Sequence, residues 1–471
     1  MSIPLDNLYH YLEGLISDDI RDDIIIYRWS PHGSKKLEDL TPTKEIIYNI
    51  NSESGWLNSM LKIHMICHDQ EPLNYNYYTP KIGAKELSRR QSKKLSEPWK
   101  LTPSTYKKFS KLVAKSQFRI ATYPIIGLRD NLLLCHSEKN SENLKLYEQN
   151  GFIGVYYWAH ALIARDWYRY AEYDDRLTTN FDRIKFDFLM YGRGWSGSRE
   201  YRLKMFELLT ENNLISNCNT RFNPTDSGVD YKNHIFINQS LTTTRTDIEN
   251  FFPTNLASSN SSADYSVDDY LTSGIEVVLE TLFDDSRQHL TEKILRPIAC
   301  GRPFILAGTP GSLEYLRSYG FKTFSGIINE SYDTIADPLL RLQAIVAELK
   351  RLSNLNHKEK IACWQQLYEI SKYNQTRFFS QEFHNDIVNE YQTNIKIGIE
   401  KCIQTTTGKW WKLCGDPDMD VSKHLYPPVT KNRTYLSFRS KTANEWLEKN
   451  SSQRFDLSIT PSQSSPGSES T

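Results

Sequence analysis

The sequence predicts an α/β protein built on parallel sheets, and three observations carry that prediction. Residues 276–324 run strand, helix, strand, helix, the rhythm of a parallel sheet with crossover helices. Residues 186–191 form an apolar run, followed by Gly192-Arg193-Gly194-Trp195-Ser196-Gly197 and then a helical pattern over 198–210. The N-terminal half carries a series of short apolar runs at 24–29, 61–67, 118–121, 131–135 and 153–158. Several of them end in a turn or a polar cluster. Strands covered by helices on both faces read as continuous apolar runs of this kind.

Within 276–324, residues 277–282 are read as a buried strand. Thr291 is the N-cap of the helix that follows, with Glu292 and Lys293 in its first turn. Ile294, Leu295 and Ile298 give that helix its apolar face, and Gly301 with Pro303 ends it. A second strand covers 304–307, Gly308-Thr309-Pro310-Gly311 makes a turn, and a helix restarts over 313–319.

The remaining elements fall on either side. A helix is expected over 1–22 with Leu5, Leu8, Tyr11, Leu12 and Leu15 on one face. Residues 172–183 read as a linker between domains, and 217–268, rich in Ser, Thr and Asn, as a loop-forming insertion. Helical periodicity returns over 339–352, 358–371 and 377–403. Lys409-Trp410-Trp411-Lys412 is expected to anchor the C-terminal extension by aromatic burial, and 451–471 to be disordered. The expected domains are 1–180, 181–400, the extension 401–450 and the tail 451–471.

Composition narrows the class. The chain has 471 residues with equal numbers of acidic and basic side chains, and no run near the ~20 apolar residues that cross a bilayer. The N-terminus lacks the basic and apolar regions of a signal peptide, and the seven cysteines contain no Cys-x-x-Cys pair. A cytoplasmic protein with reduced thiols is expected, in the host cytoplasm if the source is viral. The scattered cysteines suggest no zinc site, and Asp416, Asp418 and Asp420, a pattern that could suggest a metal, are not taken as one. Residues 81–115 hold eleven Lys or Arg against two acids. Such a block is a solvated surface or a landing strip for a polyanion, nucleic acid or phosphorylated glycan.

Candidate site residues follow from where polar groups meet strand ends. In a parallel sheet the helix N-termini lie at the ligand edge, and their free N–H groups favour anions. Lys293 there can neutralise a diphosphate, and Glu292 can accept hydrogen bonds from ribose hydroxyls. Glu280, in the first strand, and Gly308, after the second, complete that donor side. Gly192 and Gly194 would let backbone N–H groups approach a phosphate, with Arg193, Arg199 and Arg202 beside them. The acidic residue that a nicotinamide ribose requires after the next strand is missing, which argues against a dehydrogenase. In the N-terminal half, Asp69 and Glu71 follow the strand at 61–67, and His136 and Glu138 follow that at 131–135. His160, Arg165 and Asp166 follow 153–158.

Residues 276–308 resemble the donor-binding motif of the α1,3-fucosyltransferase-like glycosyltransferases: strand, polar loop, Thr-Glu-Lys-Ile, then Gly-x-Pro-Phe-Ile-Leu-x-Gly. The resemblance implies the GT-B arrangement, two facing Rossmann-like domains with a helix crossing back onto the first. It implies ribose binding by Glu292 and diphosphate binding by Lys293. Arg202-Leu-Lys-Met-Phe206 resembles the family's arginine-bearing helix, which gives Arg202 a diphosphate contact, with Arg199 second. Glu138 lies twenty positions before Trp158, the family's spacing for its catalytic base, and Arg165-Asp166 follows. The Ser-Pro that follows the family's glutamate is absent, and Gln70-Glu71-Pro72 is an imperfect second match, so Glu71 remains an alternative. The implied activity is transfer of a sugar, with inversion, from a nucleoside-diphosphate sugar to a hydroxyl, without an essential metal or other cofactor. The acceptor would be a glycan or lipopolysaccharide, or a modified DNA base. A non-catalytic nucleotide- or nucleic-acid-binding module on the same fold is the competing reading.

Overall fold

The computed structural model describes residues 15–16, 24–29, 63–68, 132–149, 152–192, 194–222, 225–226, 229–243, 265–283 and 287–414. The helix read over 1–22 apart from 15–16, the strand at 118–121, Asp69, Glu71, the basic stretch 81–115, Arg193 and the tail lie outside them.

Two parallel sheets organise the chain. The first joins β1 (Ile24–Trp29), β2 (Ile63–His68), β3 (Leu132–His136) and β4 (Phe152–Tyr156) in sequence order, with Ile24 opposite Ile63 and Leu132 opposite Phe152. Helix α1 (Glu142–Gln149) crosses from β3 to β4. Gly154 of β4 lets the helix approach closely, since a Cβ there would lie 2.8 Å from a Leu144 methyl. Helix α2 (Ala159–Trp167) leaves β4, and short 3-10 turns over 171–183 lead to the second lobe.

The second sheet contains β5 (Phe186–Gly192), β6 (Cys218–Phe222), β9 (Ser273–Leu279) and β10 (Phe304–Ala307), in the order β10-β9-β5-β6. A small hairpin of β7 (Thr225–Asp226) and β8 (Val229–Asp230) lies between β6 and β9. The stretch read as a loop insertion from 217 therefore begins with a sheet strand, Cys218–Phe222. Its alternating burial is that of an edge, one face in the core and the other outward. Successive crossovers leave β5 and β9 in opposite directions, so the switch point of the sheet falls between these two strands. Ligands of open α/β sheets bind beyond the carboxyl ends of such strands.

Helices α3 (Tyr201–Glu211), α4 (Val267–Thr272), α5 (Glu292–Ala299), α6 (Ser312–Ser318), α7 (Pro338–Ser353) and α8 (His357–Phe379) surround this sheet. Gly301 ends α5 at φ +62, the left-handed conformation that a side chain would strain. Helix α9 (Gln381–Cys414) returns to the first lobe, where Tyr391, Ile395 and Ile399 share a core with Leu133, Cys135 and Val155. The start of α9 belongs to the other core, where Phe383 and Ile387 pack, so the helix spans both lobes. Gly398 permits the approach, for a Cβ there would meet Val155 at 2.9 Å and Leu133 at 3.1 Å. The Lys409–Lys412 segment forms part of this helix, and among the described residues no helix is long and apolar enough to cross a membrane.

Candidate functional site

The switch point is built by the residues that leave β9. Glu280, at the strand end, is buried and accepts Thr291 N–H at 3.0 Å, Thr291 Oγ1–H at 2.7 Å and Thr281 N–H at 3.1 Å. Its carboxylate thus fixes the start of α5. Thr291 is the N-cap as expected, its hydroxyl oxygen accepting Lys293 N–H at 3.3 Å. Lys293 Nζ reaches Glu292 Oε1 at 2.8 Å and the hydroxyls of Thr281 and Thr291 at 3.3 Å each. Behind them, Arg296 pairs with Glu276 inside the lobe, and Tyr270 donates to the same carboxylate at 2.6 Å.

The Gly-rich turn after β5 is locked to the neighbouring strand ends. Tyr201 donates to the Glu280 carbonyl at 2.7 Å, and its ring stacks on Phe283. Arg202 is buried, and its two terminal nitrogens donate to the carbonyls of Gly194, Leu279 and Glu280. The guanidinium thus clamps backbone carbonyls at the ends of the strands. Arg199 Nε donates to the Ser196 carbonyl at 3.3 Å. Gly192 has a packing reason to be glycine, since the Phe222 ring lies 2.5 Å from where its Cβ would stand. Gly308 faces Ser312 Oγ in the same way at 2.9 Å, in the tight turn between β10 and α6.

Across from this edge lies the carboxyl end of β3. His136, Ser137 and Glu138 are all buried there. Burial pushes the His136 imidazole down to about 4, against a smaller opposing contribution from the Glu138 backbone. The two edges are stitched together directly. Lys139 and Gln288 exchange two backbone hydrogen bonds of 2.9 Å. Arg287 Nη1 lies 3.3 Å from Glu138 Oε1, and His289 Nδ1 lies 3.2 Å from the Ser137 carbonyl and 3.3 Å from its hydroxyl. Trp158 Nε1 donates to the Leu290 carbonyl at 2.9 Å, and His160 Nε2 stands 3.4 Å from Glu292 Oε2. The His160 and His289 rings meet edge to face at 4.9 Å.

Lys139 ends in an aromatic cage. Its ammonium lies 4.5–4.8 Å from the ring centres of Tyr156, Tyr315 and Tyr319, donates to Tyr319 OH at 3.2 Å and stands 3.8 Å from Glu390. Burial lowers its pKa, partly offset by Glu390.

Glu138, His160, Glu292 and Lys293 thus converge at one junction, joined by Arg287, Ser137, His289 and Lys139, which the sequence did not single out as site residues. Arg165 stands elsewhere. Its guanidinium caps the end of α8 by donating to the carbonyls of Phe378, Phe379 and Ser380, while Asp166 pairs with Arg169 on the helix surface at 3.3 Å. Residues 327–331 and Asp333 line a separate open hollow of about 680 Å³ together with Arg317 and Arg351. That hollow includes none of the junction residues. Among the described residues no group of three His, Cys, Asp or Glu side chains is arranged to hold a metal ion.

Fold and junction together define a two-lobed α/β protein whose parallel sheets meet through the loops at their carboxyl ends. Comparison with protein-family models finds no matching family, and comparisons with curated proteins and with solved structures find no match.

Proposed function

We propose that the protein is a GT-B-type glycosyltransferase, moving a sugar from a nucleoside-diphosphate sugar to a hydroxyl acceptor with inversion. The observation that carries this reading is the pairing of two opposed sets of groups. The N-terminus of α5, with Glu292 and Lys293, stands at the switch point of one sheet, and the buried carboxylate of Glu138 stands at the carboxyl end of the other. The helix dipole and a lysine suit a diphosphate, and a glutamate in the same turn suits ribose hydroxyls. The resemblance of residues 276–308 to the fucosyltransferase-like donor motif supports the same assignment.

In this reading, negative charge grows on the leaving phosphate as the sugar–oxygen bond breaks. Fixed cations and dipoles stabilise it without reorganising, and removing one such donor typically costs about 2.7–4 kcal/mol of barrier. Glu138 takes the acceptor's proton, as a hydroxyl needs a base within hydrogen-bond reach. With Glu138 and Glu292 both buried, donor and acceptor would reach them only when the lobes part, and reclosure would exclude water. The acceptor is a glycan or a modified DNA base, and the basic residues 81–115 favour a polyanion. Salt-sensitive retention on duplex DNA would select the DNA base, and no retention at low salt the glycan.

The experiment is a thermal-shift screen against GDP-, UDP- and ADP-sugars on the wild type, Glu292→Ala and Lys293→Ala. A ligand that binds only the folded state raises the apparent melting temperature. One nucleotide class should stabilise the wild type and fail to stabilise both variants. No shift with any nucleotide sugar would refute the reading, and a shift without sugar release would favour a binding module on this fold.

A further inference from the structure

We propose that Arg287 alternates between two anions: the Glu138 carboxylate when the site is empty and the donor's diphosphate when it is filled. The base is thereby unmasked only after the donor has bound. The inference rests on the donor reading above and adds an order of events to it.

The starting point is the buried pair. Glu138 has 1% of its side chain exposed and Arg287 15%, with Nη1 to Oε1 at 3.3 Å. A carboxylate oxygen that accepts from a guanidinium is a poor proton acceptor, because the bond must be surrendered first. If Glu138 is the base, the empty site holds it engaged.

Arg287 is also well placed to exchange partners. It precedes the N-cap Thr291 by four residues, on the segment that brings the chain to the N-terminus of α5. Its neighbour Gln288 is pinned by the two-way backbone bridge to Lys139, so side-chain rotation, rather than loop movement, would carry the guanidinium between positions. The other cations of this edge already have work. The terminal nitrogens of Arg202 clamp strand-end carbonyls, and Lys293 is held by Glu292 and two threonine hydroxyls. Arg287 differs in that it reaches a carboxylate of the opposite lobe through one terminal nitrogen, and a diphosphate can replace that carboxylate anion for anion.

The exchange fits the chemistry. When the acceptor oxygen bonds to the sugar carbon, its proton passes to Glu138. The carbon–oxygen bond to the diphosphate breaks, and its electron pair stays on the phosphate oxygen, beside the relocated guanidinium. A donor-free site would keep the base engaged.

The test is calorimetric titration of ADP, GDP and UDP into the full-length wild type, Glu138→Gln, Arg287→Met and the double variant. Removing the Glu138 charge takes away the anion that competes with the diphosphate for Arg287, so the nucleotide that binds best should bind about tenfold more tightly to Glu138→Gln, and about tenfold more weakly to Arg287→Met. The double variant should bind no more tightly than Arg287→Met, the mark of a coupled pair. Arg287→Met leaves a buried charge without its counter-ion and is the variant at risk of misfolding; the double variant removes both charges and keeps the comparison intact. Equal affinity of wild type and Glu138→Gln, or a gain that survives in the double variant, would overturn the inference alone. Failure of every nucleotide to bind the wild type would remove the donor reading and this inference with it.

Discussion

Nε2 of His160 lies 3.4 Å from Oε2 of Glu292, so the residue proposed to hold a ribose is fastened to the opposite lobe by a buried imidazole. Opening the junction must break this contact and expose both groups to water. In His160→Phe the carboxylate keeps Lys293 but loses its partner across the junction. A loss of about 1–3 kcal/mol of unfolding free energy is expected, the cost of a buried polar group deprived of a partner. Urea unfolding measures it, and an unchanged midpoint would show that the contact carries no stability.

Arg202 separates a structural from a ligand-binding role. Its terminal nitrogens satisfy the carbonyls of Gly194, Leu279 and Glu280 inside the protein. The Glu280 carbonyl retains Tyr201, so Arg202→Met strands two acceptors and should lower stability by about 2–5 kcal/mol. Equilibrium unfolding without ligand checks this. A variant as stable as the wild type would return Arg202 to the donor site.

Acid sensitivity follows from His136. Burial holds its folded pKa at about 4, whereas an unfolded imidazole titrates near 6.5. As the pH falls, the unfolded chain takes up the proton first. The contribution is complete above about pH 6.5, is lost as pH falls through the folded value, and reaches a loss of about 2 kcal/mol by pH 5. Asp333 opposes it. Burial raises that carboxyl to about 6, so the folded state binds its proton first and regains about 1 kcal/mol between pH 7 and 5. Comparing pH 7 with pH 5, His136→Gln should lose less stability than the wild type by about 2 kcal/mol. Parallel pH profiles would contradict the assignment.

The Lys139 cage should hold the lobes together. Its ammonium joins the loop after β3, Tyr156 of β4, Tyr315 of α6, Tyr319 just beyond that helix and Glu390 of α9. A partly desolvated cation–π contact contributes about 0.5–2 kcal/mol. Lys139→Met keeps the apolar stem and removes the charge, so amide exchange at Lys139 and Gln288 should accelerate by about tenfold, more than in either lobe's core. Uniform acceleration throughout would indicate general destabilisation rather than a latch.

Much of the sheet architecture was legible because buried parallel strands leave continuous apolar runs. Residues 24–29 and 304–307 fall on strands with the expected bounds. Cys218–Phe222 escaped because an edge strand alternates polar with apolar residues, and Cys-Asn-Thr-Arg-Phe sits in a polar stretch. At the site, Thr291, Glu292 and Lys293 were legible from local helix-capping rules, and the structure places them at the switch point. Arg287 and His289 carried no such signal. Their partners Glu138 and Ser137 lie 149 and 152 residues away, and only the meeting of two lobes pairs them. Arg202 is the converse case. A cation beside a Gly-rich turn can serve a phosphate or a row of carbonyls, and sequence does not report which way the fork points.

The central claim is that Glu292 and Lys293 hold a sugar nucleotide while Glu138 acts as the base opposite. It is tested most directly by the steady-state release of nucleoside diphosphate from the best-binding nucleotide sugar, by wild type and Glu138→Gln. Slow release by the wild type, falling by a factor of about 10² or more in Glu138→Gln, is the predicted result. Donor binding without release, or equal release by the two proteins, would contradict it.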